Sequence, residues 1–269
     1  MVYKIDNLKV MTFNIRNSYA VEDQHQHNWN YRRDKVVEII KKYEPTIIGF
    51  QEVLHDQMIY LIDHLDKIYS YYGIGRDDGK QTGEYNPIFY KKHLNRIKEG
   101  TFWLSETPEI PSKTWPGCCY RICSWIIFRL KNVDLLVANT HFDEKFTETR
   151  IKSIEVLSIL ENKRTELYIL MGDFNFETGS NEYEKIISQF SIKNSFQEAN
   201  SPYNENLVTF HGFRGDRTSI SQRFIDFIFY KGDLDIKNSI LIYDNPIKHN
   251  LTYPSDHWPV QTTFQLKIK

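Results

Sequence analysis

The chain has 269 residues, 41% hydrophobic and 26% charged, and its 34 Lys and Arg against 35 Asp and Glu leave a formal net charge of −1. That length and apolar content suit a globular fold with a sizeable core, and the near-neutral balance argues against a globally basic surface for long nucleic acid. No run of 18 apolar residues exists, so no membrane-spanning helix is expected, and the start MVYKIDNLKV lacks the charged-then-apolar pattern of a signal peptide.

In chain order, Lys9 to Ile15 reads as a strand. Trp29 to Tyr43 reads as a helix with Val36, Val37, Ile40 and Tyr43 on one face, and Pro45 ends it. Thr46 to Phe50 is a buried strand, and Leu54, Met58, Leu61, Ile62 and Leu65 repeat at helical spacing. Strands follow at Pro87 to Lys91, Ile122 to Leu130 and Val133 to Thr140, the last two close enough for an antiparallel hairpin. A helix is expected over Thr147 to Leu160, a short buried strand at Leu167 to Met171, and a helix over Ser180 to Phe190 with Tyr183, Ile186, Ile187 and Phe190 aligned. The last third holds strands at Phe224 to Tyr230, Leu234 to Ile242 and Pro259 to Leu266. With no repeat, low-complexity run or clear linker, the pattern predicts one α/β domain with mixed sheets over residues 1–269. The cysteines, Cys118, Cys119 and Cys123, lack CxxC spacing and read as reduced thiols. These features point to the cytoplasm, with no membrane association and no obligate protein partner expected.

Metal-capable side chains recur at the ends of the apolar strands, where loops of α/β folds converge on a crevice. Asn14 follows VMTF, Glu52 follows IIGFQ, His141 follows LLVANT, Asp173 and Asn175 follow YILMG, Asp226 lies within RFIDFIF, and Asp256 and His257 precede WPV. Each alone is compatible with turn chemistry, DFN as an Asx-turn for instance. Together they suit phosphate-ester hydrolysis. A hard cation such as magnesium takes oxygen ligands, a carboxylate can orient or deprotonate water, and imidazoles can donate to phosphoryl oxygens as charge builds. HExxH, paired CxxC and GxxxxGK[ST] are absent, so a zinc protease or P-loop NTPase is unsupported. Extended backbone would let Asp173 and Asn175 share a face, with Phe174 packing the other way, and would send Asp256 and His257 in different directions.

The segments TFNIR (12–16), GFQEV (49–53), NTHFD (139–143), GDFN (172–175), IDFIF (225–229) and SDHWPV (255–260) resemble, in order, the motifs of the endonuclease/exonuclease/phosphatase superfamily, the fold of deoxyribonuclease I. The resemblance implies a four-layer α-β-β-α sandwich, two mixed β-sheets packed face to face with helices outside. It implies a divalent-metal-dependent phosphoesterase using Mg2+ or Mn2+. Glu52 would be the main metal ligand with Asn14 beside it, and Asp256 would complete the metal and water network. Asp173 would hold or activate the attacking water, and Asn175 would bind a phosphate oxygen or a second metal. His257, oriented by Asp226, and His141 would face the phosphate. Glu84, in GEYNPIFY, sits where the family's glutamate orients the first histidine; the alternative is an exposed Glu before an edge strand. Arg121 resembles a phosphate-contacting arginine, or forms a salt bridge at the core rim. HNWNYRRDKVVEII (27–40), YGIGRDDGKQTGEYNPIFY (72–90) and GTFWLSETP (100–108) are similar to a bacterial branch of metal-dependent hydrolases and sugar-phosphate phosphatases. Arg76 and Lys80, in the Gly-rich part, would contact substrate or remain solvated.

The expected substrate is a small phosphorylated molecule such as a sugar phosphate. A nuclease acting on DNA or RNA is the alternative, with Arg214, Arg217, Arg223, His211 and Phe213 of the 202–223 loop as its possible contacts. A non-catalytic binding module is disfavoured, because no expected catalytic position is substituted.

Overall fold

Successive side chains of a strand leave on opposite faces, and the first strand uses both faces for packing. Leu8 and Val10 join the core between two sheets, while Met11 and Phe13 join a second core under helices. The computed structural model describes residues 3–20, 25–117, 119–200, 207–215, 223–243 and 253–268.

The first half contains β1 (Tyr3–Asn14), α1 (Trp29–Tyr43), β2 (Ile47–Gln51), α2 (His55–Leu65), β3 (Tyr69–Tyr72), β4 (Ile88–Lys91), β5 (Asn95–Trp103) and β6 (Ile122–Leu130). Then come β7 (Val133–His141), α3 (Thr147–Val156), β8 (Leu167–Asp173), α4 (Asn181–Phe190), β9 (Lys193–Asn194), α5 (Ser195–Ala199), β10 (Asp226–Lys231), β11 (Leu234–Leu241) and β12 (Val260–Ile268). Among the described residues they form two six-stranded mixed sheets, ordered β11-β12-β1-β2-β4-β3 and β5-β6-β7-β8-β10-β9. The expected hairpin is β6 with β7, antiparallel.

Helices α1 and α2 cover the outer face of the first sheet, with Val36, Val37 and Ile40 of α1 and Met58, Leu61 and Leu65 of α2 against Met11, Phe13, Ile48 and Phe50. Helix α1 starts where the Asn28 side chain accepts from Asn30 N–H, and ends where Glu44 takes a left-handed φ of 49° and donates its N–H to Ile40 O. On the second sheet, Ile154 of α3 and Ile186 and Phe190 of α4 share one core with the strand residues. The resulting architecture is the expected α-β-β-α sandwich. The helix expected over 147–160 changes geometry part-way: α3 ends at Val156 and a 3-10 segment runs Leu157–Lys163. Its three residues per turn stack Leu157 and Leu160 on one line, and both are buried. Strands β3 and β5 were not anticipated. Tyr69–Tyr72 is an edge strand too short to show a period, and the first four residues of β5 are exposed on both faces.

The sheets approach closely at Gly49. A Cβ there would stand 2.7 Å from the Asn139 and Met171 side chains of the facing sheet. Asn139 uses that gap: its Nδ2 donates to Phe50 O at 2.7 Å and to Pro87 O at 3.0 Å, and its Oδ1 accepts from Gln51 Nε2 at 2.7 Å. The clasp sits directly behind two parallel strand pairs, β1 with β2 and β7 with β8, whose registers end at Asn14↔Gln51 and His141↔Asp173. Among the described residues no helix is long and apolar enough to cross a membrane.

Candidate functional site

In the second sheet the strand register itself assembles polar groups. His141 pairs with Asp173 across β7 and β8, and Asp173 with Asp226 across β8 and β10, so three polar residues stand in one row over three adjacent strands. The loop before β12 brings His257 to that row. Its Nδ1 lies 2.8 Å from Asp226 Oδ2 and its Nε2 3.7 Å from Asp173 Oδ2. His141 Nε2 stands 3.6 Å from Asp173 Oδ2 and 3.2 Å from Asn175 Nδ2.

The first sheet contributes through residues just past its strand ends. Asn14 Nδ2 donates to Glu52 Oε1 and to Asp173 Oδ2, each at 3.0 Å, so one amide joins carboxylates from the two sheets. Its Oδ1 is held by Arg16 N–H at 3.0 Å, which turns the NH2 rather than the oxygen toward Glu52. The ligand expected at Asn14 is therefore built here as a bridge. Glu52 Oε2 accepts from Asn17 N–H at 3.1 Å and Asn17 Nδ2 at 3.0 Å. Ser255 Oγ donates to Asn14 O at 2.7 Å, tying the loop before β12 to the end of β1.

Four non-glycine residues that line the cavity have positive φ: Arg16 (56°), Glu52 (61°), Asn175 (53°) and Phe213 (60°). Such a conformation costs about 1 kcal/mol or more and persists only where neighbours fix it. It corrects the extended-backbone argument for the DFN segment. Asp173 and Asn175 do face one another, with Asn175 N–H donating to Asp173 Oδ1 at 3.0 Å, but a left-handed turn brings them together. Phe174 packs away from them among Phe142, Phe176 and Phe229. Asp256 and His257 likewise do not separate as extended neighbours would. Both line one cavity, with Nε2 and Oδ1 4.0 Å apart, because Ser255 Oγ caps the turn through His257 N–H.

That cavity, of about 550 Å3, is lined by Glu52, Arg76, Glu84, Arg121, His141, Asp173, Asn175, Asp256 and His257, with Asn14 and Asp226 directly behind. Eleven of the residues singled out in the strand-end and resemblance readings therefore converge, Lys80 being the exception. Glu84 is drawn to Arg76, whose Nη1 lies 2.5 Å from its Oε2, and stands 4.0 Å from His141 Nδ1. That is too far for the expected hydrogen bond, and His141 Nδ1, buried, has no hydrogen-bond partner. Of the loop residues, Arg223 and Phe213 line the cavity. Lys80 and Arg214 are exposed away from it, and Arg217 lies outside the described residues. His211 is not on the rim: it is fully buried, stacks on Trp258 at 4.2 Å and accepts from Gly215 N–H at 3.2 Å. Cys119 lines the cavity, and Cys123 is buried as a free thiol.

Arg16 and Asn17 were missed as site residues. They follow TFN directly, but nothing in the sequence shows that the turn folds back onto Glu52 and, through Arg16 Nε at 3.7 Å, onto Asp256.

The electrostatics differentiate the ionisable groups. Burial opposes charge on Glu52, but the Arg16 guanidinium, the Asn14 amide and His257 favour the carboxylate and hold it below its ordinary value. Burial and the adjacent Asp226 push Asp173 up to about 7. His257, despite burial, is raised to about 10 by Asp226, Asp256 and Asp173, and is an imidazolium. Burial and the Arg121 charge hold His141 well below its ordinary value, so it is neutral. Burial raises Glu84 against the pull of Arg76.

Ligand atoms of Asp173, Asp226 and His257 lie within 4.8 Å of one another, a spacing that fits a metal. His257 as an imidazolium bonded to Asp226 is a poor ligand, because metal binding requires the neutral ring. Glu52, fully ionised, and Asp256, on the same wall, form an all-oxygen set suited to a hard cation.

An endonuclease/exonuclease/phosphatase from Bacteroides vulgatus is 33% identical, covering 97% of this chain and 99% of that one, with a TM-score of 0.86. A mannosyl-6-phosphatase from Bacteroides thetaiotaomicron is 30% identical over 96% of this chain and 99% of its own, with a TM-score of 0.85. A probable CCR4-Not complex 3'-5'-exoribonuclease subunit from Vairimorpha ceranae is 23% identical, covering 95% of this chain and 63% of that protein. Residues 11–257 match the family model as well, and the chain belongs to the endonuclease/exonuclease/phosphatase family of hydrolases.

Proposed function

We propose that the chain is a divalent-metal-dependent phosphoesterase acting on a small phosphorylated molecule, with sugar phosphates as the substrate class. The observation that carries this reading is the convergence of the site's groups on one cavity of small-molecule size. Carboxylates, two imidazoles of opposite protonation and the arginines Arg16, Arg76, Arg121 and Arg223 all line one cavity of about 550 Å3. Small-molecule sites typically span about 300–1,000 Å3. The likeness to the B. thetaiotaomicron mannosyl-6-phosphatase supports the same class.

Glu52 and Asp256 would hold Mg2+ or Mn2+, with Asn14 and Asn17 fixing the Glu52 carboxylate. Bound there, the cation supplies positive charge to the phosphoryl oxygens. His257 keeps Nδ1–H on Asp226 and directs Nε2–H into the cavity, toward the charge that develops on phosphorus-bound oxygen. Asp173 faces the same space from the opposite sheet and would orient and deprotonate the attacking water. Asn175 Nδ2 and neutral His141 would bind a second phosphoryl oxygen. Arg76 and Arg121, both largely buried beside His141, would meet the substrate's remaining negative charge.

The test is a phosphate-release screen over sugar phosphates, nucleotides and inositol phosphates with magnesium, run beside plasmid nicking. Efficient release from a sugar phosphate with no nicking is the expected result; magnesium-dependent nicking without small-ester turnover would overturn it. A nuclease is the second reading, favoured by Arg223 and Phe213 on the rim and by the exoribonuclease-like relative. It predicts that nucleic-acid affinity falls by roughly 0.9 log units per log unit of salt for each phosphate contacted.

A further inference from the structure

Arg32 of α1 takes no part in the chemistry above, yet its side chain is fully buried. A guanidinium has five N–H donors in a rigid plane. Here they meet five backbone carbonyls. Nε donates to His27 O at 2.7 Å. Nη1 donates to Ile15 O and, at 3.2 Å, to Pro254 O. Nη2 donates to Arg16 O at 2.7 Å and to Asn17 O at 3.3 Å. These carbonyls belong to three segments far apart in sequence, each carrying part of the site. Residues 15–17 present Arg16 to Asp256 and Asn17 to Glu52. His27 lines the cavity and stacks on Phe213 at 4.0 Å. Pro254 immediately precedes Ser255, Asp256 and His257. One of the five carbonyls is that of Arg16, whose φ of 56° needs fixing from outside. Gln57 Nε2 supplies a further bond to it at 3.0 Å.

We infer that Arg32 is the positioning residue of the first-sheet half of the site: its guanidinium sets where Asn17, Asp256 and His257 stand relative to Glu52 and the second-sheet row. Lysine cannot replace it. It keeps the charge but offers three donors from a single point, so it cannot reach all three segments. A catalytic group displaced by about 1 Å costs about a hundredfold in rate, and that is the loss expected here, in kcat rather than KM.

The inference rests on the phosphoesterase reading for its kinetic readout alone, so a second readout is independent of activity. Arg32→Lys is compared with Ile40→Ala, which opens the core under the same helix but removes none of the guanidinium bonds to the three segments. Amide hydrogen exchange is followed at Asn17, whose N–H is bonded to Glu52, and at His257, whose N–H is bonded to Ser255. Faster exchange at both amides in Arg32→Lys but not in Ile40→Ala, after matching the two variants for thermal stability, is the expected result. On whichever phosphoester the screen identifies, kcat should fall about a hundredfold in Arg32→Lys, with KM little changed and Ile40→Ala near wild type. Partial restoration of kcat by free guanidinium in Arg32→Ala is also expected. If exchange at Asn17 and His257 is alike in the two variants, Arg32 is a stabilising residue only and the inference fails. If wild-type protein turns over no phosphoester while the exchange difference holds, the functional reading fails and the positioning role stands.

Discussion

The two halves of the site are positioned by different means. On the second sheet, His141, Asp173 and Asp226 are aligned by the pairing of β7, β8 and β10, so the hydrogen-bonded ladder that makes the sheet also sets the spacing of these groups. On the first sheet, Glu52 sits one residue beyond β2 in a left-handed conformation, and Asp256 and His257 precede β12 in a loop. Their placement depends on a few bonds made by side chains: Glu52 with Asn17 and Asn14, Ser255 on Asn14 O, Arg32 on three segments. Register is rigid and shared by many bonds, whereas a loop-set group hangs on a few. The loop-set half also holds the proposed cation ligands, where some adaptability to an arriving ion is useful.

The largest expected effect is the loss of the ion from the loop-set half. Excess chelator should abolish phosphoester hydrolysis, and magnesium or manganese should restore it; full activity in chelator would remove the metal role assigned to Glu52 and Asp256. Glu52→Gln should raise the magnesium concentration needed for half-maximal rate sharply, because it removes the carboxylate charge of the proposed principal ligand.

Next come the imidazoles. His257→Ala and His141→Ala should each lower kcat by about two to four orders of magnitude while leaving the metal requirement unchanged, which separates them from Glu52→Gln. Steady-state kinetics over a magnesium titration decides this, and a shared shift in metal requirement would mean that the imidazoles and the proposed cation ligands do not divide the chemistry. Asp226→Asn should cost less, about 10–100-fold, because the amide can still hold the His257 ring while no longer stabilising its charge.

A smaller effect is structural. Gly49→Ala places a methyl 2.7 Å from Asn139 and Met171, so the sheets must separate slightly; a loss of about 1–3 kcal/mol in denaturant unfolding is expected. The register-set row should survive within its own sheet, with the Asn14 bond to Asp173 across the gap weakening first. Smallest of all, Arg214→Ala, exposed away from the cavity, should leave small-ester efficiency unchanged; a marked loss would bring the 207–215 loop into substrate binding.

The chemistry-bearing residues were legible because they follow or end apolar runs, and a run that ends in GDFN or NTHFD delivers polar groups wherever its strand stops. Helix α1 was legible to the residue, since the spacing of Val36, Val37, Ile40 and Tyr43 and the stop at Pro45 agree with its bounds, Trp29–Tyr43. Less was legible where local pattern is weak, as in the exposed start of β5, or where one pattern serves two geometries, as at Leu157. The loop reading placed His211 with the arginines of the rim, although its ring packs on Trp258; a polar residue among loop residues gives no local sign of burial.

By itself, the sequence determined the order of most strands and helices, the α/β class and the polar residue at the end of each apolar run, because those follow from periodicity and from chain punctuation within a few residues. Only the tertiary structure decided which of those residues meet, and how. That Asn14 reaches a carboxylate on each sheet depends on the distance between sheets at Gly49, set by the Asn139 clasp. That Asn175 faces Asp173 depends on a left-handed turn rather than an extended strand. That an arginine inside an amphipathic helix points inward depends on carbonyls from residues 15–17, 27 and 254 arriving around it. Burying a guanidinium is unfavourable unless its donors are satisfied, and the partners that satisfy it are up to 222 residues away in the chain.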